Sequence, residues 1–158
     1  MTLFNLVVRH AHWLARVPLL PQFFDAVLLT WTALWDRERL RAMELIEEAA
    51  LEIPRVALCI HRFGGTGFAI NGREFAHIHG NGLLDVFTGK TIARKLVAQG
   101  LAIPHHVFGD SAWASYWVRS AADVPDAIAL LQTASGRAND SRTWDGSNLD
   151  ATRGLDQG

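Results

Sequence analysis

The chain has 158 residues, 49% of them hydrophobic and 20% charged, with a formal net charge of −1 at pH 7. That length holds one domain with a real core. A charge near zero argues against a nucleic-acid backbone as the main partner, because neutralising phosphates takes a basic surface.

Residues 1–35 form the first region. Leu3, Leu6, Val7, Ala11, Leu14 and Val17 recur at three- and four-residue steps, opposite Asn5, Arg9, His12 and Arg16. That spacing predicts an amphipathic helix. Pro18 and Pro21 interrupt it. Phe23 to Trp35 follows, apolar almost all round, with Asp25 its only charge. A helix over 22–35 spans roughly 21 Å, short of the ~30 Å hydrocarbon core of a bilayer. Phe23, Phe24, Leu28, Trp31 and Trp35 are too large and apolar to stay in water uncovered. The segment is expected to pack on the domain, on a second copy, or on a membrane surface with Trp31 and Trp35 at the interface.

Residues 36–136 read as the folded domain. Asp36 caps a helix with Leu40, Met43, Ile46 and Ala50 inward, and Pro54 ends it. Val56, Leu58 and Ile60 alternate as a strand. Asn71-Gly72 predicts a type I′ hairpin turn, which needs φ > 0 at both central residues. A regular hairpin around that turn pairs Ile70 with Arg73, Phe68 with Phe75 and Thr66 with His77. Phe75, His77 and His79 would then share one face, with Arg73 on the same side and Glu74 on the other. Leu83 to Phe87 reads as a strand, and Thr91 to Gln99 as a short helix stopped by Gly100. Ile103 to Phe108 and Ala114 to Arg119 read as two more strands. Asp123 and Pro125 open a last helix with Val124, Ala127, Ile128, Leu131 and Ala134 inward. The expected fold is α+β: an antiparallel sheet of five to six strands with helices on one side, plus the apolar helical N-terminal segment. Residues 137–158 have no apolar periodicity and read as a disordered tail.

Five of the seven histidines fall between Arg55 and Arg119, and four of those form two close pairs. On a strand, His77 and His79 aim at one volume. His105 and His106 are adjacent, so on a strand they point opposite ways and at most one joins the first pair easily. Asp85 supplies a carboxylate. Trp113, Ser115, Trp117 and Arg119 alternate onto one face. Arg62 precedes Gly64-Gly65-Thr66-Gly67 and is expected near Asp85 or Asp110. The glycine run lacks the Lys-Ser/Thr of a phosphate loop and reads as a bulged turn. Cys59, the single cysteine, is expected to be buried and has no partner for an internal disulfide. A reducing, cytoplasmic setting follows, with membrane association through residues 1–35 as a variant. No secretory signal is expected from the first residues.

Three motifs in order resemble a known family. They are Gly-Gly-Thr-Gly-Phe from Gly64, then Gly-Arg-Glu-Phe-Ala-His-Ile-His-Gly-Asn-Gly-Leu-Leu-Asp-Val from Gly72, then Pro-His-His-Val from Pro104 with a downstream Asp110-Ser111 and Trp113. Together they resemble the luciferase-domain family, small proteins of bacteria and fungi, over roughly Arg55 to Ala134. The family pattern places Gly before the tryptophan; here Ala112 stands there. The resemblance implies the fold and the place of the site; it transfers no residue role and no light-emitting activity.

The histidines admit three readings: a metal site, a metal-free ligand or acid–base site, or a structural network. His77, His79 and His106 are the candidate acid–base residues. Arg62, Arg73, Asp85, His105, Trp113 and Trp117 are the candidate ligand-binding residues. His77 and His79 are the candidate metal ligands, for a divalent ion. The leading function is small-molecule binding through this histidine-rich pocket, with or without catalysis. The alternative is a non-catalytic module that contacts a membrane surface or a second copy through residues 1–35, its histidines structural.

Overall fold

Asp36 separates two helices in the computed structural model, which describes residues 19–107 and 109–139. Helix α1 spans Leu20–Trp35 and helix α2 spans Arg37–Leu51. The Asp36 side chain accepts the Arg39 amide at 3.1 Å and meets the Arg39 guanidinium at 3.0 Å. This is the expected N-cap of α2. The amphipathic helix predicted before Pro18 and residues 140–158 of the expected tail lie outside the described residues, while residues 137–139 of that tail belong to the last helix instead.

Six strands follow: β1 Val56–Ile60, β2 Thr66–Ile70, β3 Arg73–Ile78, β4 Leu83–Phe87, β5 Ile103–His105 and β6 Gly109–Trp117. Helix α3, Lys90–Ala98, lies between β4 and β5, and helix α4, Val124–Asn139, closes the described chain. The sheet order is β1-β2-β3-β4-β6-β5, and every neighbouring pair is antiparallel. The architecture is the expected α+β sheet with helices on one side.

The covered face carries the apolar core. Ala42, Met43 and Ile46 of α2 and Ala127, Leu130 and Leu131 of α4 meet Phe68, Ile70, Ile78, Leu84, Val86 and Ala114 of the sheet. Phe68 and Phe75 are fully buried. Each contributes about 1.5–3 kcal/mol through removal of its surface from water.

The hairpin turn forms as expected, with Asn71 at φ 53° and Gly72 at φ 74°. Its register does not stay regular. Ile70 pairs with Arg73 and Ala69 with Glu74, but Phe68 then pairs with Ala76 and Gly67 with His77. Phe75 is the extra residue of a β-bulge. A bulge sets two residues of one strand against one of its partner and interrupts the alternation. Phe75 and Ala76 therefore both enter the core, while Glu74 and His77 lie on the opposite face. The expected Phe68–Phe75 and Thr66–His77 pairings are corrected accordingly. So is the placement of Glu74 away from His77 and of Phe75 beside it. Arg73 pairs with core-facing Ile70, so it sits on the helix side and not on the histidine side.

Helix α1 docks by polar contacts. Thr32 Oγ1 donates to the Gly80 carbonyl at 2.8 Å, and Asp25 Oδ1 accepts the Gly80 amide at 2.9 Å. Gln22 donates to the Arg62 carbonyl. A Cβ on Gly80 would lie 2.6 Å from the Leu29 amide nitrogen, so only glycine lets the helix come this close. Asp25 and Thr32 are buried, while Leu19, Phe23, Trp31, Leu34 and Trp35 are 62–75% exposed. The polarity of α1 is thus inverted, apolar outward and polar inward. Among the described residues no helix is long and apolar enough to cross a membrane.

Candidate functional site: the histidine face

The sheet face away from α2 and α4 is built on one cross-strand row. Cys59 pairs with Gly67, Gly67 with His77, His77 with Asp85, Asp85 with Ser115, and Ser115 with Ile103. Directly opposed residues project to the same face. The register therefore brings an imidazole, a carboxylate and a hydroxyl together on three adjacent strands. His79 adds a second ring just past the end of β3.

Asp85 is the centre, fully buried. Ser115 donates its hydroxyl to Oδ1. Oδ2 has His77 Nε2 at 3.3 Å, His106 Nδ1 at 3.4 Å and His79 Nε2 at 3.5 Å, and accepts no hydrogen bond of normal geometry. His105 Nε2 lies 3.9 Å from Oδ1.

A second carboxylate stands behind His77. Glu74 Oε1 lies 2.7 Å from His61 Nδ1 and 3.0 Å from His77 Nδ1. The His61 and His77 rings stack at 3.7 Å between centroids. A third carboxylate, Asp25 from α1, stands 3.5 Å from His79 Nδ1. Gly67 makes room for this packing, since a Cβ there would lie 2.7 Å from both Cys59 Sγ and Glu74 Oε2.

The electrostatics split the imidazoles. Burial would push His79 down, but Asp25 and Asp85 outweigh it and raise its pKa to about 9. Burial is likewise outweighed at His77, which Asp85 and Glu74 raise. Burial lowers His105 to about 4, and lowers His61 despite Glu74. Glu74 would be raised by burial, yet its bonds to His61 and His77 hold it at about 2. The surrounding imidazoles hold Asp85 well below the usual carboxylate range in spite of its burial. Opposite shifts within one cluster are the pattern of sites that hold both a proton donor and a proton acceptor.

The structure brings together His77, His79, Asp85, His105, His106 and Trp113. The Trp113 ring lies 5.4 Å from His77 and 6.2 Å from His105. His105 and His106 both reach Asp85, contrary to the expectation that only one would. The register shifts between Pro104 and His105, β5 ends at His105, and the chain turns, so strand alternation no longer applies. Trp117 pairs with Leu83 on the same face. Arg73 and Arg62 lie outside the cluster. Arg62 is exposed with its guanidinium 5.2 Å from the Phe63 ring centroid, and Asp110 is held by Arg94 and Lys90 instead. Cys59 is exposed rather than buried, on edge strand β1.

Three site residues escaped sequence reasoning: Asp25, His61 and Glu74. His61 follows directly on the apolar run of β1, and its nearness to the glycine turn was the available sign. A cleft of about 240 Å³ between α1, α2 and the sheet is lined by Asp25, Leu40, Met43, Glu44, Glu47 and Gly80 among others, but by none of the histidines.

A family model described as Luciferase domain matches residues 72–134. This match supports a luciferase-domain family assignment. The luciferase-domain segment contains β3 to β6, and with them His77, His79, Asp85, His105, His106, Trp113 and Ser115. Asp25 and His61 reach the same centre from outside it. No curated protein and no solved structure matches the chain.

Proposed function

We propose that this luciferase-domain protein binds a small polar molecule on its histidine face and moves a proton to or from it. The observation that supports the reading is Asp85 Oδ2, a fully buried carboxylate oxygen ringed by three imidazole nitrogens at 3.3–3.5 Å with no hydrogen bond of normal geometry. A purely structural network satisfies its buried atoms, because an unsatisfied one costs about 1–3 kcal/mol. Trp113 supplies an apolar wall beside this polar centre, the usual composition of a ligand pocket. His106, less buried than its neighbours, is placed to exchange protons with solvent as general base. Val107 donates its amide to His105 Nδ1 at 3.2 Å, which fixes the His105 proton on Nε2, where it can orient a ligand.

The test is a small-molecule screen read by imidazole chemical shifts. Binders should move the His105 and His106 resonances, and His106→Ala and Trp113→Ala should weaken them while circular dichroism stays that of the wild type. Binding that is indifferent to both substitutions, or no binder at all, rejects the reading.

A second reading rests on the outward apolar side chains of α1, in which residues 1–35 contact a membrane surface or a second copy.

A further inference from the structure

We infer that His77, His79 and Asp85 form a two-histidine, one-carboxylate centre for a divalent first-row transition ion of the zinc or ferrous type. This inference rests on the reading of the histidine face as a ligand site and gives that site a cofactor.

Distance is the first argument. Ligand atoms around a tetrahedral ion with bonds of about 2.0–2.2 Å stand about 3.3–3.6 Å from one another. His77 Nε2 and His79 Nε2 stand 3.3 and 3.5 Å from Asp85 Oδ2. One ligand atom from each of the three residues lies within 4.8 Å of the others.

Proton placement is the second. The ionised Glu74 carboxylate only accepts hydrogen bonds, so His61 Nδ1 and His77 Nδ1 both carry their protons toward it. With Nδ1 of His77 turned to Glu74, Nε2 is the ring atom that faces Asp85 Oδ2 and is left for an ion. A single divalent ion at that point would take Nε2 of His77, Nε2 of His79 and Asp85 Oδ2 together.

The surrounding shell is the third. Metal-bound histidines almost always give their other ring N–H to a carboxylate, carbonyl or water. His77 Nδ1 has Glu74 at 3.0 Å and His79 Nδ1 has Asp25 at 3.5 Å. Ser115 binds Asp85 Oδ1 and so leaves Oδ2 to the ion. The neighbouring donor sets are less suited. At 2.7 Å, His61 and Glu74 share an ordinary hydrogen bond, and His105 Nδ1 is occupied by the Val107 amide. His106 Nδ1, 3.4 Å from Asp85 Oδ2, is a further nitrogen within reach of the same oxygen. Two histidines and a carboxylate with open positions suit zinc or ferrous iron.

The experiment uses the full chain without a histidine tag. Stripped protein is titrated with Co²⁺ alone and followed by visible absorption, then competed with Zn²⁺; metal retained on purification is measured by mass spectrometry. The expected result is one equivalent of Co²⁺ with ligand-field bands that Zn²⁺ abolishes. His79→Ala and Asp85→Asn should lose the bands. Glu74→Gln should bind about 10–100-fold more weakly, the usual effect of removing an outer partner. If Asp85→Asn fails to fold, His79→Ala and Glu74→Gln decide. A wild type that takes up no stoichiometric metal, or a His79→Ala protein that binds Co²⁺ as the wild type does, overturns the inference. Small-molecule binding that persists in a wild type indifferent to metal would sink the metal centre and leave the proposed function standing. One bound equivalent without any small-molecule binder would do the reverse.

Discussion

Asp25 Oδ1 accepts the Gly80 amide at 2.9 Å and stands 3.5 Å from His79 Nδ1. One side chain thus holds α1 against the β3–β4 connection and faces a ring of the candidate site. Asp25→Ala should strand the buried Gly80 N–H and cost about 1–3 kcal/mol. Urea unfolding measures the loss, and hydrogen exchange at Gly80 should quicken with it. Asp25→Asn keeps an acceptor and should lose less. Equal stability in Asp25→Ala and wild type would show that the aspartate does not clamp the helix.

Glu74 makes the corresponding link for His61 and His77. Hydrogen bonds to a charged group are worth about 1.5–3 kcal/mol, and Glu74 accepts one from each ring. Glu74→Ala should therefore destabilise the fold by a few kcal/mol, and Glu74→Gln by less. Phe75→Ala should also cost about 3–5 kcal/mol, for a different reason: it empties a fully buried site. The double variant separates them. Non-additive losses would show that the bulge places both residues together, while additive losses would deny that coupling.

The hairpin shows where local pattern stops being enough. Asn71 and Gly72 were legible because their backbone conformations are rare and local. The bulge was not, because it arises when Phe75 is drawn into the core between α2, α4 and the sheet, a long-range choice that no alternation rule encodes. The pairing of His77 with Asp85 was within reach, since both sit on strands whose faces can be counted. Asp25 was not, since its role depends on a helix docking across 55 residues of sequence. On a regular strand His105 and His106 would point opposite ways, but β5 ends at His105 and the turn that follows brings both rings to Asp85.

Two glycines test the geometry in different ways. Gly72 has open space around it but sits at φ 74°, so Gly72→Ala should cost about 1–2 kcal/mol from backbone strain alone. Gly67 has an ordinary backbone, but a Cβ there meets Cys59 Sγ and Glu74 Oε2, each at 2.7 Å. Gly67→Ala should cost about 1–3 kcal/mol by crowding. It should also shift the His61 and His77 imidazole resonances, which Gly72→Ala should leave in place. Unperturbed imidazoles in Gly67→Ala would mean that Glu74 has room to move aside.

The outward face of α1 gives the last prediction. Phe23, Trp31 and Leu34 are 67%, 62% and 63% exposed, and Trp31 stacks on Trp35 at 4.3 Å between ring centroids. Such side chains add little to the fold they protrude from, so replacing all three with serine should change unfolding stability by no more than about 0.5 kcal/mol per site. Their contribution should appear in association instead. If α1 contacts a second copy, the full-length chain should sediment as a dimer that the triple variant dissociates. If it contacts a membrane surface, the chain should float with neutral phosphatidylcholine vesicles and the variant should not. A wild-type chain that is monomeric and ignores vesicles would remove the interaction reading. A triple variant that unfolds would instead place these side chains in the intramolecular core, against the exposure recorded for them.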